Sequence, residues 1–512
     1  MVQPVVDLVR DPVIQCQWWA AFGAGFIALL PLMLSVDLYI DDLERAIDGS
    51  SDWVRVGRPL ADALVEWVSF GRPLTAVAPL YTLVAIALLS VAGVASARAY
   101  GLRSAFWTAV SSVPLMAQPY ALQAMSYGFD ALFMALALLA AIAAALVLHC
   151  GRDWRWVAGA LGLLLVAFNL YQPAANGFLV MSGCLCVASA LELLDRPWQR
   201  LSLRRRLLLT GLVYAGGYGL YRLLIALLFE PRLNGYALES AELLPFNRDW
   251  PRAVVSAALE PSQWLIRDFG HWPVILPFLL LVFSYGAVLV QRCSLRLAVA
   301  AISGFVAVLL LAPGGLLLLS DSFARHPRVL LYFGPLAMSL ILQLQVLAGL
   351  LRRPLWSLGA LPLIWLMVVV SYAYGHAFAA QEHFEQGRLS RMVGAASLIQ
   401  ARGAMPPAQF LLVEGTMPRS PVLQNTVRQF PLIDRLIPPL LDGDQSFSFV
   451  QMRLHGLDLK RHRSSDPPGP LPSSCLPSAD AICTNEFSLQ RLDADTLLLR
   501  LSEDPASRRP RT

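Results

Sequence analysis

Three aspartates, a glutamate and an arginine crowd into Val36-Asp37-Leu38-Tyr39-Ile40-Asp41-Asp42-Leu43-Glu44-Arg45, directly after an apolar run. Carboxylates beside a membrane surface are costly unless they are solvated, paired or used. A carboxylate within hydrogen-bond reach of a hydroxyl can take its proton as a general base. Adjacent side chains diverge on a helix or a strand. The expectation is therefore that one of Asp41 and Asp42 acts on a substrate while the other anchors the loop. A blander alternative stays open on spacing alone, in which these carboxylates cap the next helix or face water.

A second chemistry is suggested by arginines. In Asp321-Ser322-Phe323-Ala324-Arg325-His326-Pro327-Arg328 two guanidinium groups flank a histidine, and Arg45 and Arg58 stand near the acidic cluster. Arginine offers a planar fork of donors that matches phosphate oxygens, so Arg45, Arg58, Arg325 and Arg328 are candidate phosphate or loop-anchoring ligands, and His326 is a candidate substrate contact. Salt bridges to carboxylates of the C-terminal tail are the alternative. Two further patches, Ser126-Tyr127-Gly128-Phe129-Asp130 and Tyr171-Gln172-Pro173, add Tyr127, Asp130, Tyr171 and Gln172 as candidate substrate contacts. The tyrosines would also suit a membrane-interface belt.

The elements that must carry these residues follow from composition. Of 512 residues 56% are hydrophobic and 15% charged, and the mean hydropathy is +0.56, whereas soluble domains carry about 25% charged residues. Apolar runs at 18–36, 74–97, 104–122, 129–148, 156–174, 176–194, 207–229, 272–291, 297–319, 329–351 and 355–378 each approach the ~20 residues a helix needs to cross the hydrocarbon. The spanning elements are expected to be helices because lipid offers the backbone no partner. The first run lacks a small-x-small cleavage site and reads as an uncleaved helix. With the N-terminus inside, the connections after even-numbered runs carry Arg98/Arg103, Arg152/Arg155, Arg196 to Arg206, Arg292/Arg296 and Arg352/Arg353, as the positive-inside rule asks. The loops 37–73, 122–129, 230–271 and 320–328, and the chain beyond 378, then lie outside. Within the first loop, Arg58 to Gly71 reads as an amphipathic helix suited to the bilayer surface, with Leu60, Leu64, Trp67 and Val68 on one face; an ordinary connector packed on other loops is the alternative.

The fold class expected is thus an all-α polytopic membrane protein of about 11 transmembrane helices with a small α/β extracytoplasmic C-terminal domain. Residues 1–378 form the membrane domain, 379–504 the C-terminal domain and 505–512 a disordered tail. In that domain 381–402 reads as helical, Phe410–Glu414 as a strand, and 486–491 with 495–502 as a hairpin. Cys475 and Cys483, eight residues apart in a segment expected outside, are a candidate disulfide. The other five cysteines, at 16, 150, 184, 186 and 293, lie in or beside apolar runs. The net charge of +5 does not point to nucleic acid, because the arginines sit in short clusters instead of one basic face.

Asp41-Asp42-x-x-Arg45, then Trp53, Gly57-Arg58-Pro59-Leu60 and Pro79-Leu80, resemble the bacterial type II O-antigen glucosyltransferases, the serotype-converting Gtr family. Ser126-Tyr127, Asp130, Met134, Leu170-Tyr171-Gln172-Pro173 and Arg325 with Arg328-Val329-Leu330 look like its later motifs; the tail matches none. The resemblance implies a GT-C-like multi-span body with a catalytic carboxylate in the first external loop. It also implies undecaprenyl-phosphate glucose as donor and a lipid-linked O-antigen glycan as acceptor, in the bacterial inner membrane with the site on the periplasmic face. Such a transferase would be inverting, with Asp41 or Asp42 as base and the arginines on the departing phosphate. A divalent cation, magnesium or manganese, is compatible with the clustered carboxylates. Two rival classes share these features, a transporter or flippase of lipid-linked sugars and an O-antigen polymerase or ligase. Spans that look mostly apolar and the position of the Asp-Asp-x-x-Arg motif favour the transferase.

Overall fold

The computed structural model of the protein describes residues 11–36, 38–151, 153–199, 201–240, 242–318, 326–402, 408–442, 447–461, 477–478 and 480–501. The expected disordered tail, Arg325 and Cys475 lie outside these residues. The chain divides into two compact units, one of Met1–Asp37 with Ser51–Ala373 and one of Leu38–Ser50 with Tyr374–Thr512.

The first unit is helical. Among the described residues eight helices are long and apolar enough to cross a membrane by length and composition: Pro12–Ser35, Leu80–Ala99, Ala131–Cys150, Gln172–Ala190, Leu203–Leu228, Trp272–Arg292, Pro327–Leu350 and Pro354–Arg402. Three shorter apolar helices, Ala105–Ala117, Trp154–Leu170 and Leu295–Leu311, lie where three further apolar runs were expected. Local chemistry sets the ends. The first helix starts six residues before the apolar run because the Asp11 carboxylate accepts from Val13 N at 2.9 Å and Pro12 takes the first turn, where a missing N–H costs nothing. The third run breaks at Gln118-Pro119, and a short buried helix, Ala121–Ser126, follows it.

Packing in this unit relies on small residues that let backbones approach. A Cβ on Gly334 would stand 2.8 Å from the Pro114 carbonyl oxygen, and one on Gly93 would stand 2.0 Å from Ser112 Oγ. Polar side chains join the helices as well. Gln343 accepts from the Tyr285 hydroxyl at 2.9 Å and donates to the Cys184 carbonyl at 3.2 Å. Gln17 donates to Thr108 Oγ1 at 2.7 Å. The helix interiors are therefore less uniformly apolar than the runs suggest.

The loop expected over 230–271 contains a 20-residue helix, Trp250–Phe269, that periodicity had not revealed. Its Asp268 is buried and accepts from the Tyr120 hydroxyl at 2.9 Å. Val255, Leu259 and Ile266 are exposed on it.

The second unit contains a five-stranded sheet of order β2-β1-β5-β4-β3, with β1 Phe410–Glu414, β2 Lys460–Arg461, β3 Ala481–Cys483, β4 Phe487–Arg491 and β5 Thr496–Leu501. The expected hairpin is β4 and β5, paired antiparallel from Phe487↔Leu501 to Arg491↔Leu497; β1 lies parallel to β5. Leu411, Val413, Leu489, Leu497 and Leu499 pack with Leu389, Met392, Ala396 and Ile399, whose spacing marks one face of the helix Leu361–Arg402. On the same helix Glu385 is 3% exposed. Gln381 donates to its Oε1 at 2.8 Å and Gln451 to its Oε2 at 3.1 Å. Burial raises the pKa of this carboxyl above its ordinary value, and the two amide hydrogen bonds only partly offset the shift. Cys483 is disulfide-bonded.

Candidate functional site

Asp41 and Asp42 open an eight-residue helix, Asp41–Asp48, in the second unit. Negative charge in a first helical turn is favourable because unpaired N–H groups point there. The residue before it, Ile40, holds φ 49° and ψ −103°, a backbone conformation that β-branched residues rarely adopt and that is often stored at functional sites. The two aspartates diverge. Asp42 is fully buried, its Oδ2 accepts from Tyr39 N at 3.3 Å, and its Oδ1 lies 3.7 Å from Arg45. Asp41 is 39% exposed at its side chain, with Arg45 3.8 Å away. Tyr39, itself buried, donates its hydroxyl to the Leu436 carbonyl at 2.7 Å, and Arg453 pairs with Asp48 at 3.1 Å. This helix is thus anchored to its unit from both ends and presents Asp41, not Asp42, to solvent.

The remaining candidates belong to the first unit. Trp53 lies in a short turn of helix, Trp53–Val56, closed by Gly57 at φ 73°. A Cβ at Gly57 would stand 2.9 Å from the Tyr221 hydroxyl, so the glycine serves both the left-handed turn and the close approach. Arg58 then precedes the helix Pro59–Val68. Asp62, one turn into that helix, accepts from Trp53 N at 3.0 Å and so ties the helix to the turn. The Trp53 indole donates to Asp130 Oδ1 at 2.5 Å, and Arg58 Nη1 lies 3.5 Å from the same oxygen. The Arg58 guanidinium also covers the Tyr171 ring at 4.7 Å from its centroid, a cation–π arrangement. Gln172 donates to the Gly57 carbonyl at 2.9 Å and contacts the Tyr221 hydroxyl at 2.8 Å.

Arg328 sits in the turn Pro327–Leu330. Its N–H donates to Gln123 Oε1 at 2.9 Å, and its guanidinium covers the Tyr127 ring at 4.6 Å. His326, exposed, precedes this turn. Four sequence patches, the first and last about 270 residues apart, are therefore linked in this unit: two arginines over two tyrosines, with Asp130 gathering Trp53 and Arg58. Arg58, Tyr127, Asp130, Tyr171, Gln172 and Arg328 are part of this group. Asp41, Asp42 and Arg45 form a cluster of their own in the second unit. Sequence reasoning did not assign roles to Asp62, Gln123 or Tyr221, which carry no local signal and acquire their roles only through distant partners. Among the described residues no group of three or more His, Cys, Asp or Glu could hold a metal ion.

On the helix Pro59–Val68 the buried positions are Ala61, Asp62 and Val65, while Trp67 is 76% exposed and Phe70, just beyond it, 99%. Of the expected apolar face Trp67 turns outward while Leu60, Leu64 and Val68 are half-buried, and a carboxylate turns inward because it caps the preceding turn.

Many apolar helices, several with outward-facing leucines, define a polytopic helical protein that fits a membrane, with a polar, aromatic and arginine-bearing cluster at the ends of its helices. The chain belongs to the glucosyl transferase GtrII family, whose profile matches residues 30–339. It is also similar to a Salmonella phage P22 protein described as an uncharacterized 55.3 kDa protein in the gtrB 5′ region, 22% identical over 241 residues. That match covers 46% of this chain and 47% of the phage protein, so the chain spans about half the length of that relative. No solved structure matches the chain.

Proposed function

We propose that the protein transfers glucose from undecaprenyl-phosphate glucose to a lipid-linked O-antigen or related surface glycan on the periplasmic side of a bacterial inner membrane, through about eleven spans. The observation that carries the reading is the convergence of Arg58, Asp130, Tyr171, Tyr127 and Arg328 within the stretch that matches a glucosyl transferase family. Arginines held over aromatic rings keep their charge while most of the guanidinium edge stays available to an anion.

The reaction is a single displacement. The acceptor hydroxyl gives its proton to a carboxylate, its oxygen bonds to the anomeric carbon, and the bond from that carbon to the phosphate oxygen breaks, which inverts the centre. Undecaprenyl phosphate leaves with the electron pair and needs no acid, being a stable anion. Asp41 is our candidate base because it is the accessible member of the pair, and Asp42 fixes the helix that carries it. Arg58 and Arg328 are our candidates for the phosphate, where donors that tighten on developing charge lower the barrier. Arg45, Arg325 and His326 are further candidates for binding, and Cys475 is the proposed partner of Cys483.

Reconstituted protein given radiolabelled undecaprenyl-phosphate glucose and lipid-linked glycan tests this directly. Label should move to the glycan with inverted configuration. Movement of intact donor across the bilayer without transfer would indicate a flippase instead.

A further inference from the structure

On the same unit, a cavity of about 480 Å³ is lined by Asp52, Val54, Arg55, Asp62, Arg72, Pro231, Arg232, Leu233 and Asn234, within the size range of ~300–1,000 Å³ that small-molecule sites occupy. The two loops that form it are pinned together, since Asn234 N donates to the Arg55 carbonyl at 3.0 Å. Three arginines and two aspartates line it, and Glu66 beside Arg72 supplies a further carboxylate. Arg72 pairs with Asp62 at 3.6 Å and with Glu66, and Arg55 lies 3.5 Å from Asp52. Only Arg232, exposed, has no ion-pair or hydrogen-bond partner for its guanidinium among the described residues. Two of the three lining guanidinium groups are thus already paired with carboxylates, whereas a phosphate site would gather more than one unpaired guanidinium.

What it does show is a mixed set of fixed donors and acceptors. Asp52 is held in the left-handed region at φ 48° and ψ 12°, a conformation for which aspartate is a common non-glycine choice. Asn234 uses its Oδ1 to accept from Ala237 N at 2.8 Å, which fixes the side chain and leaves its NH₂ as donor. A carboxylate, an amide and guanidinium forks at the mouth of one cavity match pairs of neighbouring hydroxyls, each of which both donates and accepts. The cavity also shares Asp62 with the cluster described above, because that residue both lines it and holds Trp53, whose indole reaches Asp130.

We propose that this cavity binds a neutral hexose of the acceptor glycan through adjacent hydroxyls held by Asp52, Asn234, Arg55 and Arg232, an assignment that rests on the glucosyltransferase reading above. It is a binding subsite and takes no part in bond making.

The test uses full-length protein in nanodiscs and oligosaccharide released by mild acid from the host strain's lipopolysaccharide. Two readouts are needed: saturation-transfer NMR of oligosaccharide binding, and steady-state transfer with donor and acceptor varied separately. Arg232→Gln and Asp52→Asn should each weaken oligosaccharide binding and raise acceptor KM about ten-fold, the worth of one charged hydrogen bond, with donor KM unchanged. Inorganic pyrophosphate should not displace the oligosaccharide. Unchanged binding and acceptor KM in both variants would overturn the assignment, as would a raised donor KM or competition by pyrophosphate. If the wild type binds oligosaccharide in an Arg232-dependent way but transfers no glucose, the subsite stands and the transferase reading fails. Normal transfer with acceptor handling indifferent to both variants would sink the subsite alone.

Discussion

Replacing Asp41 and Asp42 separately by asparagine distinguishes a catalytic carboxylate from a structural one. Asparagine preserves size and hydrogen bonding but removes charge and basicity. At Asp41 the structural loss is small: one ion pair at 3.8 Å, with side chains 39% and 15% exposed, is worth at most about 1 kcal/mol. The rate loss should be large, ~10²–10⁴-fold for removal of a general base, which is about 3–5 kcal/mol of barrier. At Asp42 the order reverses. Its asparagine still accepts from Tyr39 N, but a fully buried charge 3.7 Å from Arg45 disappears, and a cost of about 1–3 kcal/mol follows. Arg45 keeps Asp41 as a neighbour, so the helix should persist and transfer should fall by less than about ten-fold. Both variants should be purified in nanodiscs and compared by melting temperature and by initial rate of label transfer from undecaprenyl-phosphate glucose. Wild-type rates in both would show that neither carboxylate takes the proton. A dead Asp42 variant beside an active Asp41 variant, at equal stability, would reverse their roles.

Trp53→Phe removes the indole donor from Asp130 while keeping the ring packed near Phe133, and should lower stability by about 1–3 kcal/mol in thermal unfolding; an unchanged midpoint would show that this contact holds nothing. Arg58→Lys keeps the charge but loses the planar stack on Tyr171 and the fork toward Asp130, so donor KM should rise several-fold, and unaltered donor kinetics would remove Arg58 from the site. The raised pKa of Glu385 makes its folded-state contribution complete below the unfolded value of about 4.3 and progressively lost as pH rises through the folded value. Glu385→Gln should therefore flatten the decline in the melting temperature of the intact chain across that window, and identical pH slopes would contradict the assignment. Alkaline phosphatase fused after residue 400 should be active and fused near residue 200 inactive; the reverse would invert the proposed topology.

Hydropathy is a property of neighbours along the chain, so the apolar helices were legible from the sequence, and Pro119 shows that even their interruptions were written locally. The hairpin of β4 and β5 was legible for the same reason, since two short apolar-bearing stretches separated by a few residues fall within one local window. The short motifs were visible as residue types with chemical potential. Their partners were not. Trp53 meets Asp130 across 77 positions and Gln123 meets Arg328 across 205, and such pairs depend on how helices pack, which no local window contains. The helix Trp250–Phe269 escaped notice because its apolar residues are interrupted by Pro261, Arg252 and Glu260. Most consequentially, residues 38–50 follow an apolar helix in the chain yet belong by their contacts with the C-terminal unit. Tyr39 and Asp48 find Leu436 and Arg453 some four hundred residues away. Sequence alone could state that adjacent aspartates must diverge, because backbone geometry requires it. Only the tertiary structure decided that Asp42 is the one buried, since burial depends on which neighbours close over it.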